Sequence, residues 1–196
     1  MNEYTAGVIG MGIIALVILV VIFRFPAGMT EFIRGITKVR WGLKGIEVQR
    51  DADAAAQRGG TRADVLEKLR AVPVRGLGLW VDDQPENNVA ELRLLRGRGI
   101  EIDLAATNAG ALALAQQAKK AGQPYQFVVS DIGRTNEKDP QGGLELPDLL
   151  EHGLGSRPTV IFYTGTAKET GIEDAVSTAI PAALFQAIAD ALKKRV

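Results

Sequence analysis

The sequence predicts an α/β protein with a doubly wound parallel sheet, preceded by one transmembrane helix. From Gly76 onward, short apolar runs alternate five times with helical patterns. Such alternation is typical of right-handed βαβ crossovers and of a parallel sheet covered on both faces. Two of the apolar runs end on acidic residues. The stretch from Ala6 to Phe23 contains no charged side chain, and its length is at the lower limit for spanning a hydrocarbon core of about 30 Å.

Composition excludes several classes of protein. The chain has 196 residues, of which 46% are hydrophobic, and its formal net charge is zero. Because cysteine is absent, disulfides, thiolate metal sites and cysteine nucleophiles are excluded. The segment Arg24–Arg75 carries 11 Lys and Arg against 6 Asp and Glu, whereas Gly76–Val196 carries 12 against 16. A nucleic-acid binder concentrates positive charge on its folded module, so nucleic acid is not an expected partner.

Residues 1–25 are predicted to form an uncleaved N-terminal membrane anchor. The five residues before Ala6 include no basic residue, whereas a secretory signal peptide begins with a positively charged region. Basic residues follow the apolar stretch, at Arg24, Arg34, Lys38, Arg40 and Lys44. By the positive-inside rule they predict a single-pass protein of the inner or plasma membrane with a cytoplasmic C-terminal domain. Ala6 and Gly10 form one small-xxx-small pair, which leaves a homodimer possible.

Residues 26–75 are predicted to connect the anchor to the folded domain. Two short runs between Ile36 and Gln49 suit a small β-hairpin, and a plain tether with Trp41 at the membrane interface is the alternative. The segment from Asp51 to Gly60 is rich in Ala and polar residues and is interpreted as a linker or a frayed helix. Thr61 then begins a helix, because Thr61 and Asp64 have the spacing of a capping box.

The domain from Gly76 to Val196 begins with an apolar strand, Leu77–Asp83, whose carboxyl end is Asp82-Asp83. A continuous apolar run without helical period favours a strand buried on both faces. Pro85 suits the first turn of a following helix. Residues 100–107 alternate and are rich in β-branched side chains, which predicts the second strand. Residues 109–121 have strong helical propensity, and Gly122 ends that helix.

The remaining elements continue the alternation. Phe127-Val128-Val129 is predicted as the third strand, and Asp131 follows it. A long polar loop precedes a helix near residues 144–152. The fourth strand is predicted at residues 159–163 and a short fifth at 175–178. An amphipathic helix from Pro181 to Lys194 closes the domain, with Leu184, Ile188 and Leu192 facing inward.

The acidic strand ends predict a cation site. In the flavodoxin-like (βα)5 order 2-1-3-4-5, the first and third strands are neighbours and ligands bind at their carboxyl ends. Asp82, Asp83 and Asp131 therefore converge in one crevice. Three carboxylates repel one another, and a hard cation with oxygen ligands such as Mg²⁺ is the simplest compensation. Solvated strand termini are the alternative.

These residues resemble a known family. Asp82-Asp83 followed by Gln-Pro, an aspartate after the third strand and Thr164-Gly165 after the fourth look like the receiver domain of two-component response regulators. The resemblance implies that Asp131 is the phosphoacceptor and that Asp82 and Asp83 bind Mg²⁺. It further implies that Thr164 is the switch hydroxyl and that the backbone carbonyl of Gly133 completes the metal's protein ligands. A histidine kinase or another signalling protein is the implied partner.

Two positions depart from the receiver pattern. Receivers usually carry a lysine before the proline that follows the fifth strand, and here that position is Ile180, before Pro181. The aromatic switch position holds Ser177. Candidate replacements for the lysine's charge are Arg134, Lys138 and Lys168.

Three classes of function follow from the sequence. The first is a membrane-anchored signalling module that acts through Mg²⁺-dependent aspartyl phosphorylation or as a pseudo-receiver through protein contacts. The second is an NAD-processing enzyme, because Toll/interleukin-receptor-type domains use a related architecture. The third is a non-catalytic membrane adaptor. No nucleophile elbow or phosphate-binding glycine loop points to another enzyme class.

Overall fold

The computed structural model describes residues 45–134, 142–165, 170–172 and 175–194. In these residues a five-stranded parallel sheet has the order β2-β1-β3-β4-β5. Its strands are β1 Gly76–Val81, β2 Ile100–Ala105, β3 Phe127–Ser130, β4 Val160–Tyr163 and β5 Val176–Thr178. This is the flavodoxin-like sheet order predicted from the alternating sequence pattern.

Six helices accompany the sheet in the described part of the chain. They are α1 (residues 45–56), α2 Arg62–Ala71, α3 Val89–Gly97, α4 Asn108–Lys120, α5 Leu146–Leu154 and α6 Pro181–Lys193. Short 3-10 turns, Pro85–Asn88 and Gly142–Glu145, precede α3 and α5. Thus Pro85 starts a 3-10 turn and α3 begins four residues later than the proline signal predicts.

The two faces of the sheet are covered by different helices. Trp80 belongs to an apolar cluster with residues of α3 and α6, whereas Leu79 and Val81 belong to a second cluster with residues of α4 and α5. Neighbouring residues of a strand point to opposite faces, so an uninterrupted apolar strand supplies both clusters. The burial of Leu184, Ile188 and Leu192 on α6 confirms the predicted inward face.

Residues 48–56 of α1 and the whole of α2 belong to the compact unit that runs from Val48 to Val196. The capping box predicted at Thr61 and Asp64 is present at the start of α2. Val65 and Leu69 are buried, and α2 packs against α6. Ala52 and Ala55 of α1 join the same apolar cluster, so α1 and α2 extend the core on the α3 and α6 side.

The predicted hairpin differs from the structure where the two can be compared. Residues 45–49 are helical, and the remainder of the predicted hairpin lies outside the described residues. Ala52 and Ala55, three residues apart, bury one face of α1. Burial at helical spacing, together with the good helical propensity of the alanine-rich run, favours a helix over a strand.

The predicted membrane localisation is contradicted. None of the described helices is long and apolar enough to cross a membrane. The longest of them, α4 and α6, have 13 residues. Such helices are about 20 Å long at 1.5 Å per residue, whereas a hydrocarbon core is about 30 Å thick. The apolar segment Ala6–Phe23, on which the prediction rested, lies outside the described residues.

The connection between β4 and β5 contains no helix in its described residues 164–165, 170–172 and 175. The segment between Thr164 and Pro181 is short, which predicts a reduced helix here. The candidate site lies at the carboxyl ends of β1, β3 and β4.

Candidate functional site

The three predicted aspartates meet at the carboxyl ends of β1 and β3. Val81 and Ser130 are paired across these neighbouring strands, and the next residues are Asp82 and Asp131. The Asp131 N–H donates to the Val81 carbonyl at 2.9 Å, which keeps the two strand ends in register. One carboxylate oxygen from each of Asp82, Asp83 and Asp131 lies within 4.8 Å of the others. A single cation can therefore contact all three.

The Asp82 carboxylate is held in place by two hydrogen bonds. Only 5% of the residue is exposed. Its Oδ1 accepts from the Gln84 N–H at 2.8 Å, and its Oδ2 accepts from Asn88 Nδ2 at 2.6 Å. Asn88 ends the 3-10 turn that Pro85 starts, so this turn fixes the carboxylate. The sequence analysis did not single out Asn88. The turn-forming run Pro-Glu-Asn-Asn after Asp82 was the available signal that a side chain of this turn could return to the Asp82 carboxylate.

The carboxyl group of Asp131 has a raised pKa. Burial is the largest cause, and the neighbouring negative charge of Asp82 is the second. Hydrogen bonds from the backbone N–H groups of Gly133 and Ile132, and the charge of Arg134, act in the opposite direction. The acids thus repel one another in a partly desolvated setting, where a bound cation would stabilise all three in their charged form.

A pocket of about 420 Å³ lies above the acids. Its lining includes the residues that the sequence singled out: Asp82, Asp83, Asp131, Gly133, Thr164 and Gly165. The Thr164 N–H donates to the Thr178 carbonyl at 3.2 Å, so the end of β4 is tied to β5. The pocket therefore brings together acids from β1 and β3 and a hydroxyl from the end of β4.

The two departures from the receiver pattern lie on or beside β5. Ser177 is within β5, and its Oγ is buried without a hydrogen-bond partner among the described residues. Ile180 is the N-cap residue of α6 and is 46% exposed. Neither belongs to the residues that line the pocket, although Ala179 does.

Arg134, a candidate for the missing positive charge, is a structural residue in this fold. It is 1% exposed. Its Nη1 donates to Ser130 Oγ at 2.9 Å and to the Asp131 carbonyl at 3.0 Å, and its Nη2 donates to Asn108 Oδ1. Arg134 thereby joins the end of β3 to the start of α4 outside the set of pocket-lining residues. Lys138 and Lys168 lie outside the described residues.

A different cation, Arg58, lines the pocket. Its Nη1 donates to Asn88 Oδ1 and lies 3.5 Å from Glu91 Oε1. Sequence reasoning missed Arg58 because it falls in the segment interpreted as a linker. The pair Gly59-Gly60 directly after it, which is typical of a tight turn, was the available signal.

The donor set fits a hard divalent cation. The three acids offer oxygen ligands only, which is the set that Mg²⁺ and Ca²⁺ prefer. Cation binding should raise the free energy of unfolding, by about 2.7 kcal/mol when free Mg²⁺ is about 100 times its dissociation constant. We expect Asp83→Asn to weaken Mg²⁺ binding at least about tenfold, because one charged ligand is lost.

Thermal unfolding of the chain with increasing Mg²⁺ measures this effect. Asp190→Asn is the matched control, since Asp190 is an exposed residue of α6 with partners of its own in Gln186 and Lys193. This control should respond to Mg²⁺ as the parent does. Equal Mg²⁺ responses of the parent and Asp83→Asn would contradict the assignment of Asp83 as a ligand.

Comparison with known proteins gives structural neighbours only. No protein-family model and no curated protein matches the sequence. Several structural neighbours are receiver domains or response regulators. The receiver domain of the hybrid histidine kinase CckA is 27% identical, and the match covers 52% of this chain and 82% of that one with a TM-score of 0.40.

Two further neighbours come from named organisms. A response regulator receiver protein from Sinorhizobium medicae is 19% identical over 62% of this chain and 98% of its own, with a TM-score of 0.49. A response regulator from Burkholderia pseudomallei, solved with a phosphorylated aspartic acid, a calcium ion and citrate, is 20% identical over 61% of this chain and 72% of its own, with a TM-score of 0.45.

Proposed function

We propose that this chain is a receiver-like signalling protein that binds Mg²⁺ and accepts a phosphoryl group on Asp131. The observation that carries the proposal is the meeting of three carboxylates within 4.8 Å at the ends of β1 and β3, in a pocket that Thr164 also lines. The receiver-like part is Gly76–Val196, to which α1 and α2 are an N-terminal addition.

The proposed metal ligands are Asp82, Asp83, Asp131 and the backbone carbonyl of Gly133. When bound, Mg²⁺ would offset the negative charge of the acids and of incoming phosphoryl oxygens. The residues of the chain prepare this site in advance. Asn88 and the Gln84 N–H orient Asp82, and the N–H groups of Gly133 and Ile132 orient Asp131.

The proposed chemistry is a displacement at phosphorus. A carboxylate oxygen of Asp131 forms a bond to the phosphorus of the donor, and the bond from phosphorus to the donor's leaving group breaks. The leaving group departs with its electron pair, and Asp131 becomes an acyl phosphate. The Thr164 hydroxyl, on the same pocket wall, is the proposed switch group that donates to a phosphoryl oxygen and moves the end of β4 with it.

The partner that we propose is a histidine kinase or another signalling protein that supplies the phosphoryl group or reads the modified surface. A second copy of this chain is a further candidate partner. The acids of the pocket suit a bound cation, and an anionic ligand can then bind to that cation. The net charge of the chain is zero, which gives no electrostatic reason to propose nucleic acid as a partner.

The test is to incubate the full chain with Mg²⁺ and acetyl phosphate and to locate the modification by mass spectrometry. We expect one phosphoryl group on Asp131, dependent on Mg²⁺. No modification and no binding of the phosphoryl mimic beryllofluoride would overturn the proposal. A parallel incubation with NAD tests the enzyme alternative, and consumption of NAD would favour that class instead.

A further inference from the structure

The acid pocket contains one positive charge among its described lining residues, and that charge is Arg58. The other charged lining residues are Asp82, Asp83 and Asp131. An anionic ligand placed beside three carboxylates requires positive charge beyond the divalent cation, because like charges at short distance strongly oppose binding in a partly desolvated site. A cation from the chain would meet this requirement, and among the described residues the cation that lines the pocket is Arg58.

A glycine turn brings Arg58 to the pocket. Gly59 and Gly60 have φ values of +144° and +88°, a backbone region that residues with a Cβ rarely adopt. A Cβ built on Gly59 would lie 3.4 Å from Ile180 Cγ1, so the Ile180 side chain lies beside this turn. The apolar residue at the position of the receiver lysine is thus a neighbour of the turn that carries Arg58.

The guanidinium of Arg58 is held by three neighbours, Asn88, Glu91 and Tyr163. Its Nη1 donates to Asn88 Oδ1 and forms the ion pair with Glu91 Oε1 at 3.5 Å. Glu91 is 1% exposed and also accepts from the Tyr163 hydroxyl at 2.9 Å. Asn88 donates in turn to Asp82. One side-chain amide therefore links Arg58 to the proposed cation ligand.

The guanidinium also remains accessible to a ligand. The Arg58 side chain is 37% exposed, and its contacts with Asn88 and Glu91 both use Nη1. A guanidinium has five N–H donors in a planar fork that matches the oxygens of a phosphoryl group. An oxyanion bound between Thr164 and a cation held by the acids would lie in the same pocket as Arg58.

We propose that Arg58 is the basic anion-binding residue of this site and that it donates hydrogen bonds to an oxygen of the phosphoryl group. This inference rests on the proposed function. It adds that the N-terminal helices α1 and α2 complete the site, because the turn between them carries the cation. The competing role is structural, in which Arg58 only neutralises the buried carboxylate of Glu91.

The experiment measures binding of beryllofluoride to the full chain in the presence of Mg²⁺ by calorimetry. We expect Arg58→Gln to weaken beryllofluoride binding at least about tenfold, the loss expected for one charge-assisted hydrogen bond. Arg58→Lys should recover part of the affinity, because the charge is kept. Binding of Mg²⁺ alone should not weaken in Arg58→Gln, since removing a nearby positive charge does not oppose a cation.

Two further variants separate the anion-binding role from the structural one. In Glu91→Gln the buried carboxylate is absent, so Arg58 has no charge to neutralise there. We expect the double variant Arg58→Gln, Glu91→Gln to bind beryllofluoride at least about tenfold more weakly than Glu91→Gln alone. This pair also keeps the test valid if Arg58→Gln by itself fails to fold. Arg62→Gln, which breaks an exposed ion pair with Asp53 at 3.3 Å, is the matched control and should equal the parent.

Each remaining outcome is decisive. If the double variant binds as well as Glu91→Gln, or Arg58→Gln binds as well as the parent, Arg58 is not the anion-binding residue and the receiver-like function stands. If the parent binds no beryllofluoride with Mg²⁺, this inference is overturned, and if acetyl phosphate also leaves the chain unmodified, the proposed function is overturned with it.

Discussion

Replacement of Asp131 by asparagine is expected to reduce phosphoryl incorporation from acetyl phosphate to background. The amide lacks the anionic oxygen that forms the bond to phosphorus. The amide oxygen of asparagine still accepts hydrogen bonds, so the backbone N–H groups of Gly133 and Ile132 keep a partner. The variant should therefore fold, and the measurement is the phosphoryl occupancy of the intact chain by mass spectrometry.

The control for Asp131→Asn is Asp190→Asn, which removes an exposed carboxylate from α6. This variant should be modified to the parent's extent. Asp83→Asn should show an intermediate result, with modification restored in part at higher Mg²⁺, because it loses a metal ligand and keeps the nucleophile. Full modification of Asp131→Asn would show that another side chain is the acceptor.

Replacement of Gly143 by alanine is expected to lower the free energy of unfolding by about 3 kcal/mol. A Cβ at this position would lie 2.3 Å from the Asp131 carbonyl oxygen and 2.6 Å from Ile132 Cα. Both contacts are with backbone that follows β3 directly, so a rotamer change cannot relieve them. The Gly143 N–H also donates to the Ile132 carbonyl at 3.2 Å, a hydrogen bond that the required displacement would weaken.

Urea unfolding measures this loss, and Gly97→Ala is the matched control. No neighbouring atom lies within 4 Å of a Cβ at Gly97, which belongs to α3. Alanine there should leave stability unchanged or raise it by roughly 0.5–1 kcal/mol. The backbone that must move to accept the alanine Cβ includes Asp131, so Gly143→Ala should weaken Mg²⁺ binding as well. A decrease in the free energy of unfolding of less than about 0.5 kcal/mol would contradict the prediction, because it would mean that the backbone after β3 moves at little cost.

Most of the fold was predictable because its signals are local. The apolar runs at Gly76–Val81 and Phe127–Ser130 and the amphipathic pattern of Pro181–Lys193 depend on residues close in sequence. The capping box at Thr61 is also a local signal, since it joins residues three apart. The acidic residues at the strand ends were predictable for the same reason, and the sheet order then determined which of them meet.

Errors arose where packing between distant segments decides the conformation. Residues 45–49 alternate enough to resemble a strand, yet they form part of α1. Their neighbours Ala52 and Ala55 are buried in the same apolar cluster as α3 and α6. A short run has no strong intrinsic preference, and tertiary burial overrides a weak one. Packing also decides the surroundings of Arg134, a candidate for the missing charge, whose side chain is buried against Ser130 and Asn108.

The sequence by itself determined the strand-end acids, because a strand's length and the residue that follows it are local properties of the chain. Only the tertiary structure decided which cation of the described residues lines the pocket of those acids. The turn with Arg58 lies at the pocket because α2 packs against α6, which places Gly59 beside Ile180. These contacts join residues far apart in the chain, and no local pattern encodes them. In the sequence, Ile180 lacks the positive charge of the lysine that receivers carry at this position. In the fold, its side chain lies beside the turn that carries Arg58.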